Sequence, residues 1–181
     1  MQNTLQIDDR VAVNKLPFIA KSVKRGDVVV FRDPANWLPL PVEEVSGNKI
    51  IATVKEALVF TGVLPNPAKQ YLVKRVIGVA GDKVVCCDAK GGLTINGKAT
   101  HEPYIFAGNK PSEMNFNVTV PEGKIWVMGD HRGASADSRY HQDDVNNGMV
   151  PVSKVTGRVF GIIWPSKNFG YVASHDPLAT K

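Results

Sequence analysis

Cysteine is nearly missing from this chain. There are only two, and they are neighbours, Cys86 and Cys87. Adjacent cysteines are not a metal-binding pattern, and a bridge between neighbours is strained. Two small, buried or half-buried thiols are expected, and they assign no compartment. No apolar run approaches the roughly 18 residues that span a bilayer. The opening residues carry no signal-peptide pattern, so the stretch given reads as a soluble body. The four histidines, His101, His131, His141 and His175, lack a metal spacing such as HExxH. No metal and no other cofactor is expected. Repeats and low-complexity tracts are also lacking. Net charge is +5 and the sequence pI about 9.2, a balance that favours anionic partners. The cations are scattered, however. The densest cluster is Lys21, Lys24 and Arg25, with no nucleic-acid motif beside it, so nucleic acid is not an expected partner.

What is present is a β-rich chain. Its 181 residues, 43% of them hydrophobic, suit one domain or one domain with a sizeable insert. Strands are predicted within residues 4–15, where Val11 and Val13 alternate with polar or small partners around an Asp8-Asp9 turn, over 27–31 and 71–79, and from Lys83 to Cys87. Asn96-Gly97, between Leu93-Thr94-Ile95 and Lys98-Ala99, is a two-residue hairpin signal. Further strands are expected over 118–120, 125–128, 154–159 and 161–164. Residues 34–53 are proline-rich and irregular, with Trp37 as an anchor. A short helix is predicted over 53–61, capped by Thr53 and stopped by Gly62 and Pro65. Residues 101–117 read as loop. The fold class is mostly β, with many short strands and frequent turns. The expected organisation is a discontinuous main domain over 1–84 and 122–170, with a smaller inserted lobe over 85–121. A loosely held tail follows, its apolar periodicity fading from Ser166 and the tail proper covering 171–181.

The stretch Tyr71-Leu72-Val73-Lys74-Arg75-Val76-Ile77-Gly78-Val79-Ala80-Gly81-Asp82 carries two cations inside an apolar strand. Neighbours on a strand point to opposite faces, so Lys74 and Arg75 cannot share one. A lysine held among apolar groups loses its charged form first, because desolvation penalises the ammonium. Such a lysine can serve as a base near neutral pH. The competing reading is an edge strand with two solvated cations.

A second constellation follows the strand that ends in Gly129. Asp130-His131-Arg132-Gly133-Ala134-Ser135-Ala136-Asp137-Ser138-Arg139-Tyr140 packs small, polar and charged residues into one loop. Asp137 and Arg139, two apart, are candidates to pair with each other or across the loop. Ser135 is small enough to sit deep and orient an amine. A triad of Asp130, His131 and Ser135 is disfavoured, because so short a loop does not hold all three in line. The competing reading is a polar surface turn.

Taken in order, Arg25-Gly26-Asp27-Val28-Val29-Val30-Phe31, Lys74 through Asp82, and Gly129 through Arg139 resemble three successive sequence boxes of bacterial type I signal peptidases. Met1-Gln2-Asn3-Thr4-Leu5-Gln6-Ile7-Asp8-Asp9 resembles the box before them, where the family usually has Ser-Met-x-Pro-Thr-Leu, an apolar residue and Gly-Asp. The likeness runs from Met1 to about Trp164. It implies a membrane-anchored serine endopeptidase with a Ser-Lys dyad on a catalytic β-body carrying a smaller inserted β lobe. The dyad would remove signal peptides from exported preproteins on the outer face of the cell membrane, with a lipid surface as second partner. Lys74 would be the general base and Ser135 its orienting hydroxyl, with Asp137 and Arg139 supporting the loop as an ion pair. Met1, Leu5, Val11, Val30, Leu72 and Val73 match wall positions of the family's substrate pockets, shallow apolar sites for small residues. Asn3 stands where proline is usual, Asp8 where glycine is, and His131 where asparagine is common. The family's nucleophilic serine directly precedes the methionine matching Met1. It is therefore expected upstream of this stretch, with the membrane-spanning segment, and the stretch alone is expected to be inactive. A self-cleaving repressor-type Ser-Lys protease would need an internal cleavage site and usually a helix-turn-helix, and neither is seen. A non-catalytic β-domain that binds extended peptides by strand addition is the alternative of a different class.

Overall fold

The computed structural model describes residues 1–15, 23–39 and 70–179. The predicted helix over 53–61, part of the proline-rich stretch and Lys21 lie outside them. Two antiparallel sheets make up the fold. The larger contains β1 (Arg10–Asn14), β2 (Val28–Arg32) and β3 (Tyr71–Gly78). The smaller contains β4 (Lys83–Cys86), β5 (Leu93–Ile95), β6 (Lys98–Ala99) and β7 (Phe116–Thr119). The chain then returns to the larger sheet with β8 (Lys124–Met128), β9 (Val150–Pro151), β10 (Val155–Trp164) and β11 (Gly170–Tyr171). Strand order is β1-β10-β2-β3-β8-β9, with β11 also on β10, and β6-β5-β4-β7 in the smaller sheet.

The strands form where β-branched and aromatic residues alternate between two cores. On β8, Ile125 and Val127 face one core while Trp126 and Met128 face the other. The first core gathers Val29, Phe31, Leu72, Val76 and Trp37. The second lies between the sheets, where Ile77, Trp126 and Met128 meet Val84, Leu93, Ile95 and Phe116. The middle strands are buried on both faces, which is why they read as continuous apolar runs. Full burial of each large apolar side chain contributes roughly 1.5–3 kcal/mol. The β5–β6 hairpin turns at Asn96 (φ 53°) and Gly97 (φ 76°), both in the left-handed region that a type I′ turn requires.

Several expectations change. The first strand begins at Arg10, not within residues 4–9, which fold as turns. There the Thr4 and Leu5 N–H groups donate to the Met1 carbonyl, and Gln6 N–H donates to the Asp9 carboxylate at 2.7 Å. Local hydrogen bonds of this kind compete with extension. The two strands expected over 154–159 and 161–164 are one, because Gly161 is paired on both sides, to Ala12 and to Tyr171. Cys86 and Cys87, expected as free thiols, are joined as a disulfide, with Cα atoms 2.9 Å apart.

The described part of the tail, through Ala179, makes contacts with both sheets. β11 pairs with β10, Pro177 is buried and its carbonyl accepts from His101 N–H at 2.8 Å. Leu178 packs on the core between the sheets. The His175 carbonyl lies against Gly26, where a Cβ would stand 2.2 Å from it; Gly26 also has φ +83°. Apolar periodicity cannot report such an attachment, since it is made by backbone groups and isolated side chains.

Candidate active site

Lys74 sits in mid-β3, on the face it shares with Leu72 and Val76. It is half-buried, and its Nζ donates to Ser135 Oγ at 2.9 Å. Burial pushes the Lys74 pKa below its ordinary value. The Asp137 carboxylate opposes that shift and the Arg139 guanidinium adds to it. Met1 lines the same cleft as Val73 and Ala134, the chain neighbours of Lys74 and Ser135.

Ser135 follows a short 3-10 helix, Arg132–Ala134, in extended conformation (φ −126°, ψ 109°). Asp137 and Arg139 lock the turn behind it. Their side chains form a fully buried ion pair at 2.8 Å. Asp137 accepts from Gly129 N–H at 2.9 Å, and Arg139 donates to the Arg132 carbonyl at 2.8 Å. Buried charges persist only when paired and hydrogen-bonded in this way. Ser138 Oγ accepts from Val127 N–H at 3.0 Å, fastening the turn to β8.

Two further ion pairs were not read from the sequence. Arg75, on the opposite face of β3 from Lys74, clamps Asp130 with Nε–Oδ1 at 2.9 Å and Nη2–Oδ2 at 2.8 Å. The bidentate form is the strong one. Arg75 also donates to the Gly26 carbonyl at 2.8 Å, and its guanidinium lies 4.1 Å from the Tyr104 ring centroid. Thr4 Oγ1 donates to Asp130 Oδ2, tying the opening turn to the loop. Arg132 pairs with Glu102 and donates to the Pro111 carbonyl at 2.6 Å. Burial alone would lower the Arg132 pKa, but Glu102 outweighs it and holds the guanidinium above its ordinary value. The stretch 101–117, read from sequence as plain loop, thus braces the turn that carries Ser135. The one sequence signal was the placing of Arg75 opposite Lys74, which required a buried partner for a buried cation.

Beside the Lys74–Ser135 pair opens a cleft of about 500 Å³. Met1, Leu5, Val11 and Val73 supply apolar wall, and Gln2, Gln6, Asp9 and His131 supply polar wall. Val30 and Leu72 do not line it. Val30 pairs with Val73 on the neighbouring strand, and Leu72 is buried in the core with Phe31 and Trp37. Asp8 has φ 70°, the conformation glycine adopts most freely and aspartate tolerates. Asn3 has φ 104°, closed to proline, and its amide donates to the Tyr104 carbonyl at 3.0 Å. His131 stacks on Phe106 with centroids 4.3 Å apart, and its Nδ1 is 2.6 Å from Gln2 Oε1. Among the described residues no group of three His, Cys, Asp or Glu is placed to hold a metal ion.

A partly desolvated lysine bonded to a serine hydroxyl, beside an apolar cleft in an antiparallel β-body, defines the class of β-proteins built around a Lys-Ser pair. Residues 1–164 match the model of the family described as signal peptidase, peptidase S26, and the chain belongs to that family. It is 39% identical over 93% of its length to a probable signal peptidase I of Mycobacterium leprae. It is 40% identical over 94% of its length to a signal peptidase I of Mycobacterium tuberculosis. The chain spans 65% and 62% of the lengths of these two relatives. A probable signal peptidase I-2 of Synechocystis is 30% identical over 94% of the chain and 62% of that protein.

Proposed function

We propose that this chain is the catalytic body of a serine endopeptidase that removes N-terminal signal peptides from exported preproteins. The observation that carries the reading is the Lys74 Nζ, pressed toward its neutral form by burial and held 2.9 Å from Ser135 Oγ. Lys74 is the general base, Ser135 the orienting hydroxyl, and Asp137 with Arg139 the support of the loop. The nucleophile is a serine directly preceding Met1 in the full-length protein. The cleft that Met1 shares with Val73 and Ala134, the chain neighbours of Lys74 and Ser135, supports this.

In the first step the neutral amine takes the serine proton, and the oxygen attacks the scissile carbonyl to form a tetrahedral oxyanion. Collapse expels the amine of the mature protein, which takes the proton from the lysine ammonium. Water activated by the same amine then hydrolyses the acyl-enzyme. A lysine needs no histidine for this cycle. Met1, Leu5, Val11 and Val73 form the apolar wall that receives small side chains before the scissile bond. Residues 1–181 without the upstream serine are inactive in this reading.

The membrane is the second partner, with the catalytic body on its outer face and an upstream hydrophobic helix as anchor. No helix among the described residues is long and apolar enough to cross a membrane. Trp164, Phe169 and Tyr171 are 57%, 73% and 93% exposed at one end of β10 and β11; aromatic residues of this kind favour a lipid interface. The basic cluster adds less than its charge suggests, because Arg25 is paired with Asp82.

The test compares three proteins: residues 1–181, the same chain extended by its native upstream residues, and that extension with alanine in place of the serine. Only the serine-bearing extension should cleave a precursor. Equal cleavage by all three overturns the assignment.

A further inference from the structure

A second cavity, of about 310 Å³, is lined by Gly133, Ala134, Ser135, Ala136, Tyr140 and His141, so it adjoins the dyad serine directly. It meets the first cleft at Ala134, the neighbour of Ser135, which lines both. An extended peptide rises about 3.3 Å per residue, so a strand with its scissile bond at the dyad enters both. The proposed function gives the residues before the bond to the first cleft.

From this we infer that the second cavity binds the first residues of the mature protein, those that follow the scissile bond, and that His141 and Tyr140 select among them. The inference rests on the peptidase reading of the dyad.

The walls of the cavity are fixed before any substrate arrives. Gly133 N–H donates to Asn109 Oδ1 at 2.9 Å, and the Arg139 guanidinium lies 5.4 Å from the Tyr140 ring. His141 is held on two sides. Its ring stacks on Trp37 at 4.4 Å with the planes 12° apart, and its Nδ1 is 2.8 Å from the Asp137 carbonyl. A carbonyl only accepts, so Nδ1 carries the hydrogen, and in that tautomer Nε2 is an acceptor. Among the described residues Nε2 has no hydrogen-bond partner. Trp37 is itself anchored by donation to Asp144 at 2.7 Å. Among the described residues no charged side chain lines the cavity; Gly133, Ala134 and Ala136 give it small, exposed walls, and Tyr140 is 50% exposed. Such a site suits an uncharged side chain with a hydrogen-bond donor, such as serine, threonine or glutamine, and rejects a carboxylate, which offers only acceptors. Discrimination of this kind arises because a bound peptide covers Nε2, and a covered acceptor left without a donor is penalised.

The experiment uses full-length enzyme and two series of precursor peptides. One varies the residues after the scissile bond (Ser, Gln, Ala, Asp), and the other varies those before it. Wild type should prefer Ser and Gln over Ala and Asp after the bond. In His141→Phe the ratio of kcat/KM for Gln over Ala should fall about five- to tenfold, the worth of one hydrogen bond. Preferences in the other series should stay parallel to wild type. Tyr140→Ser, a change at an exposed position, guards against misfolding of the His141 variant and should narrow the same ratio. Variants that lose the same factor on every peptide, or that change preference before the bond, overturn the inference while leaving the peptidase reading intact. Failure of wild type to cleave any precursor overturns both.

Discussion

A Cβ on Gly129 would stand 2.2 Å from Ser135 Oγ and 2.6 Å from Ser135 Cβ. The hydroxyl that faces Lys74 thus occupies the space a side chain at residue 129 would need. Gly129→Ala should displace Ser135 and disorder its bond to the lysine. Misplacement by about 1 Å can cost on the order of a hundredfold in rate, and a fall of that size in kcat is expected in the full-length enzyme. Ser135→Ala should give a loss of similar kind, because both remove the hydroxyl from Lys74. A Gly129→Ala enzyme with wild-type kcat would show that Ser135 does not position the base.

The pH profile follows from the direction of the Lys74 shift. Its pKa is lowered, mainly by burial, and only the neutral amine accepts a proton. Activity should rise with pH through a midpoint below the ordinary lysine value and then level. Lys74→Met keeps most of the stem volume but cannot take a proton, so its turnover should fall to background at every pH. A rising limb that persists unchanged in the methionine variant would assign the titration to another group.

The same shift has a consequence for stability. A lysine with a depressed folded pKa binds fewer protons folded than unfolded, so its contribution to stability rises with pH between the two values. Below the folded pKa the protein bears the full penalty of the buried charge; above the ordinary lysine value the penalty is gone. Lys74→Met removes it. The melting temperature of the variant minus that of wild type should therefore be most positive at lower pH and decline as pH rises toward the ordinary lysine value. A difference constant with pH would mean that Lys74 is not desolvated.

The features that build the Lys74–Ser135 site are of unequal legibility in the sequence. Strands with two buried faces announce themselves through runs such as Leu72-Val73 and Val76-Ile77, and Asn96-Gly97 specifies its turn by local chemistry alone. Asp137 and Arg139 lie two residues apart, within reach of each other whatever the rest of the chain does. Arg75 and Asp130 are 55 residues apart and leave no local pattern. Their pairing depends on which strands become neighbours, as does the bracing of Arg132 by Glu102. Asp8 and Asp9 announce their turn, and Val11 and Val13 lie on the strand after it; the turn over residues 2–4 misled because it is made by backbone bonds to the Met1 carbonyl, which strand propensity does not weigh.

Asp130→Asn tests the long-range clamp. Arg75 and Asp130 are both buried, with side chains 1% and 0% exposed. Removing one charge leaves the other uncompensated in a poorly solvated place, at a cost of about 3–5 kcal/mol. Denaturant unfolding of Asp130→Asn should show a loss of that order. The double variant Arg75→Met with Asp130→Asn should be less destabilised than the sum of the single changes, because it strands no charge. Strict additivity would mean that the two residues act separately.

The C-terminal segment should be part of the stable fold. Ala173 O accepts from Arg75 Nη1 at 3.4 Å, His175 backs onto Gly26, and Pro177 joins the tail to His101 beside the smaller sheet. The segment therefore bridges both sheets and touches the arginine that clamps Asp130. Removing residues 173–181 should lower the melting temperature and speed proteolysis. Gly26→Ala offers an independent route to the same effect. Its Cβ would collide with the His175 carbonyl, and a non-glycine residue at φ +83° is itself strained at about 1–3 kcal/mol. Backbone strain and tail displacement separate in the combination. If the tail is displaced by the alanine, Gly26→Ala should cost less in the truncated chain than in the intact one, because the collision partner has gone. Hydrogen exchange at His101 N–H gives the local readout. It should quicken in both single changes, since each removes or loosens the Pro177 carbonyl that protects it. Full protection of that amide after truncation would show that the tail does not join the sheets.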